Sequence, residues 1–339
     1  MTEKIIVIGA GPAGVTAALR ACELGADVAL IEGGSLGGTC TNDGCVPTRV
    51  LARAARLARN ARQFGEYGLT SVDMSVDFRR LLDKAQQVVY TVHEKKQLHS
   101  HLEAAGVELY TGHGPAHFVD PHTVELADGT QLSAGKFILC VGGHARKLPI
   151  PGAEHSLTHS DVWQMQKLPA SVAIIGAAAT GCQLASVFNT FGVDVHLLDL
   201  APRILPGEDV AVSAYMARAF ERRNLHVHAG IDGVQRIERS GNSFVLVYGE
   251  DGTEQRLSVD VVIQAVGWAG NADRLNLNAA GVKSERSYVV VDDYLRTTAD
   301  HIFAAGDING RMMLVQSASH EARIAAENAV LGPTRVAGH

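Results

Sequence analysis

No run of apolar residues in this chain reaches the length of a membrane span. Nor does it open on a basic segment, an apolar stretch and a cleavage site in sequence, so a cytoplasmic location is expected. Charge is scarce: 19% of 339 residues, with a net balance of −6. That balance offers no electrostatic grip on nucleic acid or an anionic membrane. Cysteine is sparse as well. Five thiols in a chain of cytosolic character argue against a structural disulfide framework. Three of them, Cys22, Cys140 and Cys182, lie in apolar helix or strand contexts and are expected to be inert buried thiols. Against these shortages, 46% of the chain is apolar and 35 residues are glycine. The length suffices for two domains of ordinary size, and the glycines suit tight phosphate-binding turns.

Lys4-Ile5-Ile6-Val7-Ile8 has the pattern of a buried parallel strand. Gly9-Ala10-Gly11-Pro12-Ala13-Gly14 follows, then a helix through about Leu24 and a strand from Asp27 that ends at Glu32. This is a dinucleotide-binding fingerprint in its full context. Gly9 permits the tight turn, Gly11 admits the pyrophosphate, and Gly14 lets helix and strand pack closely. Glu32 is placed to accept ribose hydroxyls.

Gly33, Gly34, Gly37 and Gly38 then bring the chain back across the cofactor, through Thr39 to Cys40 and Cys45. Cys45 opens a long helix, Val46 to about Phe64. A disulfide closing so short a loop removes little chain entropy and is poorly suited to be a staple. A helix start favours the thiolate, the form that attacks disulfides or binds soft metals. The bland alternative is two free thiols. Arg53, Arg56, Arg59 and Arg62 are expected to form a solvated face, with a substrate role as the alternative.

A second unit repeats the first. Strand Ser171–Ile175 leads into Gly176-Ala177-Ala178-Ala179-Thr180-Gly181, a helix from Cys182 to about Phe191, and strand Val193–Leu198 ending at Asp199. Ala178 stands where the middle glycine is usual, so a pyrophosphate is approached less freely. Asp199 accepts ribose hydroxyls and repels a 2′-phosphate. Leu200, Ala201 and Pro202 supply no cation, so NAD(H) is preferred to NADP(H).

The run Gly37 to Arg49 strongly resembles the group I pyridine-nucleotide disulfide oxidoreductases, which include dihydrolipoamide dehydrogenase, glutathione reductase and mercuric reductase. The resemblance extends over about Lys4 to Leu331. It implies FAD as cofactor, Cys40 as the outer thiol that meets substrate, and Cys45 as the inner thiol in charge-transfer contact with the flavin. Gly112-His113-Gly114 falls where the family passes the adenine, and Val141-Gly142-Gly143 where it leaves the flavin domain. Val261–Val266 leads to Gly267, and Thr298–Asp307 matches the second flavin motif. Asp307 would hydrogen-bond the ribityl chain; a plain turn aspartate is the alternative. The expected fold is α/β: two Rossmann-like domains with parallel sheets and a small antiparallel β crossover in each. The FAD-binding domain would comprise 1–150 plus 270–332, the NAD(P)-binding domain 151–269, and 333–339 a tail.

The family pattern also breaks. Lysine is usual at the position of Arg49 and glutamate at that of Gln183, where the two pair beside the flavin. Gln183 cannot neutralise Arg49, and a cation there favours reduced flavin and the Cys45 thiolate; the alternative is that both are drifted residues in a weakened site. Ala179 stands where an aromatic often shields the flavin. Trp268 and Gly270 replace an arginine and a proline; Trp268 is expected to pack, with stacking on a base as the alternative. The family continues into an interface domain that supplies the dimer and a histidine–glutamate base, whereas this chain ends at His339. The oligomer is therefore open. His320-Glu321 is expected at the surface rather than as a substitute base.

The sequence thus points to an FAD enzyme passing electrons from NAD(P)H to Cys40–Cys45 and on to a small-molecule disulfide, thiol or Hg(II) acceptor. Two rivals stand: an NADH diaphorase reoxidised by quinone or oxygen with idle cysteines, and a catalytically impaired flavoprotein or redox sensor.

Overall fold

The computed structural model describes residues 3–70 and 75–338. The chain divides into two compact units. The first comprises residues up to Asn42, Val89–His144 and Trp268 onward; the second comprises Asp43–Val88 and Ala145–Gly267.

The first unit is built on a five-stranded, all-parallel sheet in the order Ile302–Ala304, Lys136–Leu139, Lys4–Ile8, Asp27–Glu32, Glu108–Thr111. Its central strand is continuous in Ile and Val because both faces are covered; Ile5 to Ile8 are at most 4% exposed. Two helices cover one face, Pro12–Glu23 and Val315–Leu331. They meet through small side chains: Ala13, Ala17, Ala18 and Ala21 on one, Ala322, Ala325, Ala326 and Ala329 on the other. Alanine there lets the backbones approach closely. The other face carries Phe118, Phe137, Leu126 and Leu275. A three-stranded antiparallel sheet, Ala116–Asp120, Thr123–Leu126 and Gln131–Ser133, forms the crossover. Residues 334–337 lie against this unit. Asn328 Oδ1 accepts from the Thr334 and Arg335 amides, and the Ala337 amide donates to the Asp293 carbonyl.

The second unit repeats the plan with four parallel strands in the order His226–Ala229, Asp194–Asp199, Ser171–Ile175, Val261–Gln264. Its crossover is the antiparallel sheet Gly233–Ser240, Ser243–Glu250, Thr253–Val259. Leu51 and Ala55, on helix Cys45–Arg62, join the core of helix Ala179–Thr190. Arg53, Arg56, Arg59 and Arg62 are exposed, as expected of a solvated face. Arg62 also donates to the Thr190 carbonyl at 2.7 Å and fastens the two helices end to end. The α/β architecture, with two parallel sheets and an antiparallel crossover in each unit, is the one expected.

Both fingerprint helices start earlier than the sequence suggested, at Pro12 and Ala179. The last glycine of each turn is therefore a helical residue. A Cβ on Gly14 would overlap the Gly9 carbonyl oxygen, and one on Gly181 the Gly176 carbonyl oxygen. These glycines are set by helix–turn proximity, not by a break before the helix.

Candidate active site

In the first unit, Glu32 organises the turn at the end of the central strand. Its Oε2 accepts from the Ala10 amide at 2.6 Å and its Oε1 from the Gly34 amide at 2.7 Å. The Gly9 amide donates to the Ile31 carbonyl, and the Gly37 amide to the Ala10 carbonyl. The returning chain is thereby laid across Gly11. Gly38 has φ +58°, and a Cβ there would lie 2.7 Å from Gly11 Cα. Only glycine suits that backbone and that approach. Helix Pro12–Glu23 has no side-chain cap and no acid in its first turn. Its first amides and positive dipole end are left for an anion.

The second unit reproduces this frame bond for bond. Asp199 Oδ2 accepts from the Ala177 amide at 2.5 Å and Oδ1 from the Ala201 amide at 2.8 Å. The Gly176 amide donates to the Leu198 carbonyl, and the Leu205 amide to the Ala177 carbonyl. Helix Ala179–Thr190 is likewise uncapped by a side chain and free of acids in its first turn. The donors present in each unit fit one dinucleotide pyrophosphate. Arg203, the nearest following cation, spends its guanidinium on the carbonyls of Leu205, Pro206 and Glu208.

The other predicted residues gather at the carboxyl edge of the same sheets, where open α/β folds bind ligands. Gly114 follows strand Glu108–Thr111, and the backbone of Pro115 beside it passes Gly33. Gly142 accepts from the Asn271 amide, and a Cβ on Gly143 would lie 2.6 Å from the Ala269 carbonyl oxygen. Gly267 follows strand Val261–Gln264 of the second unit and accepts from the Arg146 amide. Trp268 is half-buried, and its carbonyl accepts from the Tyr288 hydroxyl. Asp307 follows strand Ile302–Ala304, next to Gly306, whose position for a Cβ lies 3.2 Å from Ala13 Cβ on the first fingerprint helix. Burial, and then nearby Glu321, raise the Asp307 carboxyl above its ordinary value.

Glu321 corrects a sequence expectation. It is completely buried rather than on the surface, while His320 is exposed. Glu321 Oε2 accepts from the Gly306 amide and from Asn309 Nδ2, both at 2.7 Å. It thus holds the Gly306–Asp307 turn from below. An acid next to a histidine on a polar-looking helix carries no local mark of that role. Cys22 is a smaller correction: it is half-buried, whereas Cys140 and Cys182 are buried as expected. Burial pushes all three thiols up, Cys182 to about 11.

Cys22, Cys45, Cys140 and Cys182 are free thiols. Cys40 is half-buried within the short helix Gly38–Asn42, which starts against Gly11. Thr39 is half-buried on the same turn, and Thr41 is fully buried. Asn42 is pinned by His93 Nε2 at 2.7 Å and donates to the Leu36 carbonyl. In the second unit, exposed Cys45 is the first residue of helix Cys45–Arg62, as expected. Asp43, ahead of it, accepts from Ser160 Oγ at 2.5 Å through its carboxylate and from Trp163 Nε1 at 2.7 Å through its carbonyl. Asp43 was not foreseen. Arg49 and Gln183 lie on helices that pack together, and both are exposed. Among the described residues no hydrogen bond joins them. Ala178 and Ala179 are exposed at the start of the second fingerprint helix.

Two parallel sheets, each with a carboxylate-braced nucleotide turn, and a cysteine on the chain returning over the first define a two-nucleotide redox protein. The chain belongs to the pyridine nucleotide-disulphide oxidoreductase family, whose model matches residues 3–322. Membership makes it an oxidoreductase and implies the use of FAD and NAD(P). It is similar to the dihydrolipoyl dehydrogenase of Zymomonas mobilis, 33% identical over 330 residues, covering 95% of this chain and 70% of that one. It is also 33% identical over 335 residues to the dihydrolipoyl dehydrogenase of Mycobacterium tuberculosis, with the same coverage of 95% and 70%. Among solved structures it resembles the HOCl-induced flavoprotein disulfide reductase RclA of Escherichia coli, with TM-score 0.82 and 27% identity, over 98% of this chain and 72% of that one. Among the described residues no helix is long and apolar enough to cross a membrane.

Proposed function

We propose that the chain is a cytoplasmic NADH-dependent disulfide reductase working through FAD and the Cys40–Cys45 pair. Residues 1–150 and 270–332 would form its flavin domain and 151–269 its nicotinamide domain. The observation that carries the reading is the seating of the helix bearing Cys40 against the pyrophosphate turn at Gly11. Bound FAD would supply two-electron transfer between nicotinamide and thiol. Its pyrophosphate is assigned to the amides at Gly11–Gly14, its ribose to Glu32 and its ribityl chain to Asp307. NADH is assigned to Gly176–Gly181 and Asp199. NADH is favoured over NADPH because the Asp199 carboxylate is fixed at the strand end and the Arg203 guanidinium is already engaged.

The chain's own residues then do thiol chemistry. The Cys40 thiolate attacks the substrate disulfide, forming a mixed disulfide and releasing one thiolate. The Cys45 thiolate then attacks Cys40 Sγ and releases the second. The Cys40–Cys45 disulfide so formed is reopened by the two electrons of one NADH, which leaves as NAD⁺ with uptake of one proton. A thiophilic ion such as Hg(II) is an alternative acceptor for the same thiolate pair. RclA of Escherichia coli is also known as a Cu(II) complex, which favours keeping that alternative.

Anaerobic titration with NADH tests the proposal, with wild type beside Cys45→Ser. A long-wavelength band in wild type alone, with NADH-dependent turnover of a test disulfide, is the expected result. Bleaching of the flavin without that band in either protein supports the diaphorase. Absence of bleaching would sink both enzymatic readings. Turnover of Hg(II) in place of the disulfide reassigns the acceptor and leaves the relay intact.

A further inference from the structure

Strand Asp194–Asp199 and the edge strand His226–Ala229 carry an arrangement that the redox reading does not use. In their parallel register His196 faces His226 and Leu198 faces His228. Side chains two apart on a strand share a face, so Asp194 and His196 point the same way, as do His226 and His228. Asp194 Oδ1 lies 3.3 Å from His226 Nε2, and Asp194 Oδ2 lies 3.6 Å from His196 Nε2. The His196 and His226 rings are stacked, with centroids 4.5 Å apart. One ligand atom from each of the three residues falls within 4.8 Å of the others.

We propose that Asp194, His196 and His226 form a binding site for a divalent transition ion, of the Zn(II) or Cu(II) type, at the edge of the second unit's sheet. Bond lengths near 2.0–2.1 Å imply ligand–ligand edges of about 3.3 Å in a tetrahedral site. The two contacts to Asp194 are close to that but run to different oxygens, Oδ1 and Oδ2, so ligation through one oxygen needs a small rotation of the carboxylate. Two imidazoles and a carboxylate suit borderline ions and not the all-oxygen preference of Mg(II) or Ca(II). The side chains of Asp194 and His226 are about half exposed, 54% and 52%, so a fourth position is open to water or an exogenous ligand.

The surroundings supply what such a site needs behind its ligands. Ligation through His196 Nε2 leaves its Nδ1–H to donate to His228 Nε2, 3.2 Å away. His228 Nδ1 in turn faces Glu250 Oε1 at 3.8 Å. A carboxylate–imidazole–imidazole chain of this kind fixes the tautomer and ring plane of a metal-binding histidine. The ligands cluster at the amino end of these strands, whereas Asp199 and the nucleotide turn sit at the carboxyl end. With a rise of about 3.3 Å per residue, Asp194 and Asp199 are roughly 16 Å apart. The bound ion would clamp the sheet's outermost strand to its neighbour.

Zn(II) alone, titrated calorimetrically into the full-length holoprotein, tests this. The background is the Cys40→Ser/Cys45→Ser variant, so that the redox thiols cannot be the ligands. One ion per chain is expected, with affinity falling more than about tenfold in His226→Gln and in Asp194→Asn. Zn(II) should also raise the thermal midpoint of the background protein and not of either cluster variant. Both cluster positions are exposed, and flavin content shows that each variant is folded. Absence of binding in the background variant would overturn the proposal. So would binding that His226→Gln and Asp194→Asn leave unchanged. Neither outcome depends on whether disulfide reduction is the activity of this chain.

Discussion

Replacing Glu321 by alanine removes an acceptor shared by two buried donors, the Gly306 amide and Asn309 Nδ2. An orphaned buried donor costs about 1–3 kcal/mol, so the pair costs about 2–6 kcal/mol before any cavity is counted. Against a stability of about 5–15 kcal/mol, that is a large fraction. Glu321→Gln keeps an oxygen acceptor at the same place and should cost less. The loss is also local. Gly306 abuts Ala13 on the first fingerprint helix, and Asp307 follows it. A loosened turn should therefore release flavin before the protein unfolds. Urea denaturation of wild type, Glu321→Gln and Glu321→Ala, each with flavin content measured after dialysis, reads both effects. An alanine variant within about 0.5 kcal/mol of wild type, the range of ordinary surface substitutions, would refute the reasoning. Equal destabilisation by glutamine and alanine would refute the assignment to hydrogen bonding.

Gly38→Ala forces a Cβ into a left-handed backbone, a cost of about 1–2 kcal/mol, and against Gly11 Cα; lower flavin content on purification is the expected sign. Glu327 is pushed up by burial but held below its ordinary value overall by Arg20 and Arg335. Its stabilisation is present above the unfolded-state value of about 4.3 and is lost as pH falls through the folded one, so wild type and Glu327→Gln should differ in urea midpoint near neutral pH and converge in acid. If the proposed flavin site is right, Gln183→Glu, which puts a carboxylate on the helix packed against that of Arg49, should lower the flavin midpoint potential in dye-equilibration titrations; no decrease counts against an electrostatic role for these two positions.

The parts of this fold legible in the sequence are those whose physics is local. The turns at Gly9–Gly14 and Gly176–Gly181 need glycine because of atoms a few residues away, and a carboxylate at the strand end completes each within one βαβ unit. The position of Cys45 at a helix start was readable for the same reason. Glu321 was not, because its partners belong to a turn before the helix and its burial is decided by tertiary packing. The Asp194, His196 and His226 cluster left a trace: Asp-x-His in one segment and His-x-His in another. Only the pairing of two strands separated by a helix turns those traces into one face.

Gly11 and Ala178 hold the same backbone shape in the two turns. Ala178 has φ −76° and ψ −169°, and Gly11 has φ −70° and ψ −175°. Both are extended conformations open to any L-residue, so the turn itself never required glycine at this position. A Cβ on Gly11 would find only Gly38 Cα, at an ordinary 3.8 Å. The tight residue is instead Gly38, on the chain that returns over the turn. In the second unit the returning chain reaches the turn through Leu205, whose amide bonds Ala177 as the Gly37 amide bonds Ala10. Among the described residues no glycine pair follows Leu205 as Gly37 and Gly38 follow the first turn. The two units therefore share a carboxylate-braced turn and differ in what returns to it: a short helix carrying Cys40 in the first, a segment through Leu205 in the second. On the proposed reading, that difference is what would separate the flavin turn from the nicotinamide turn.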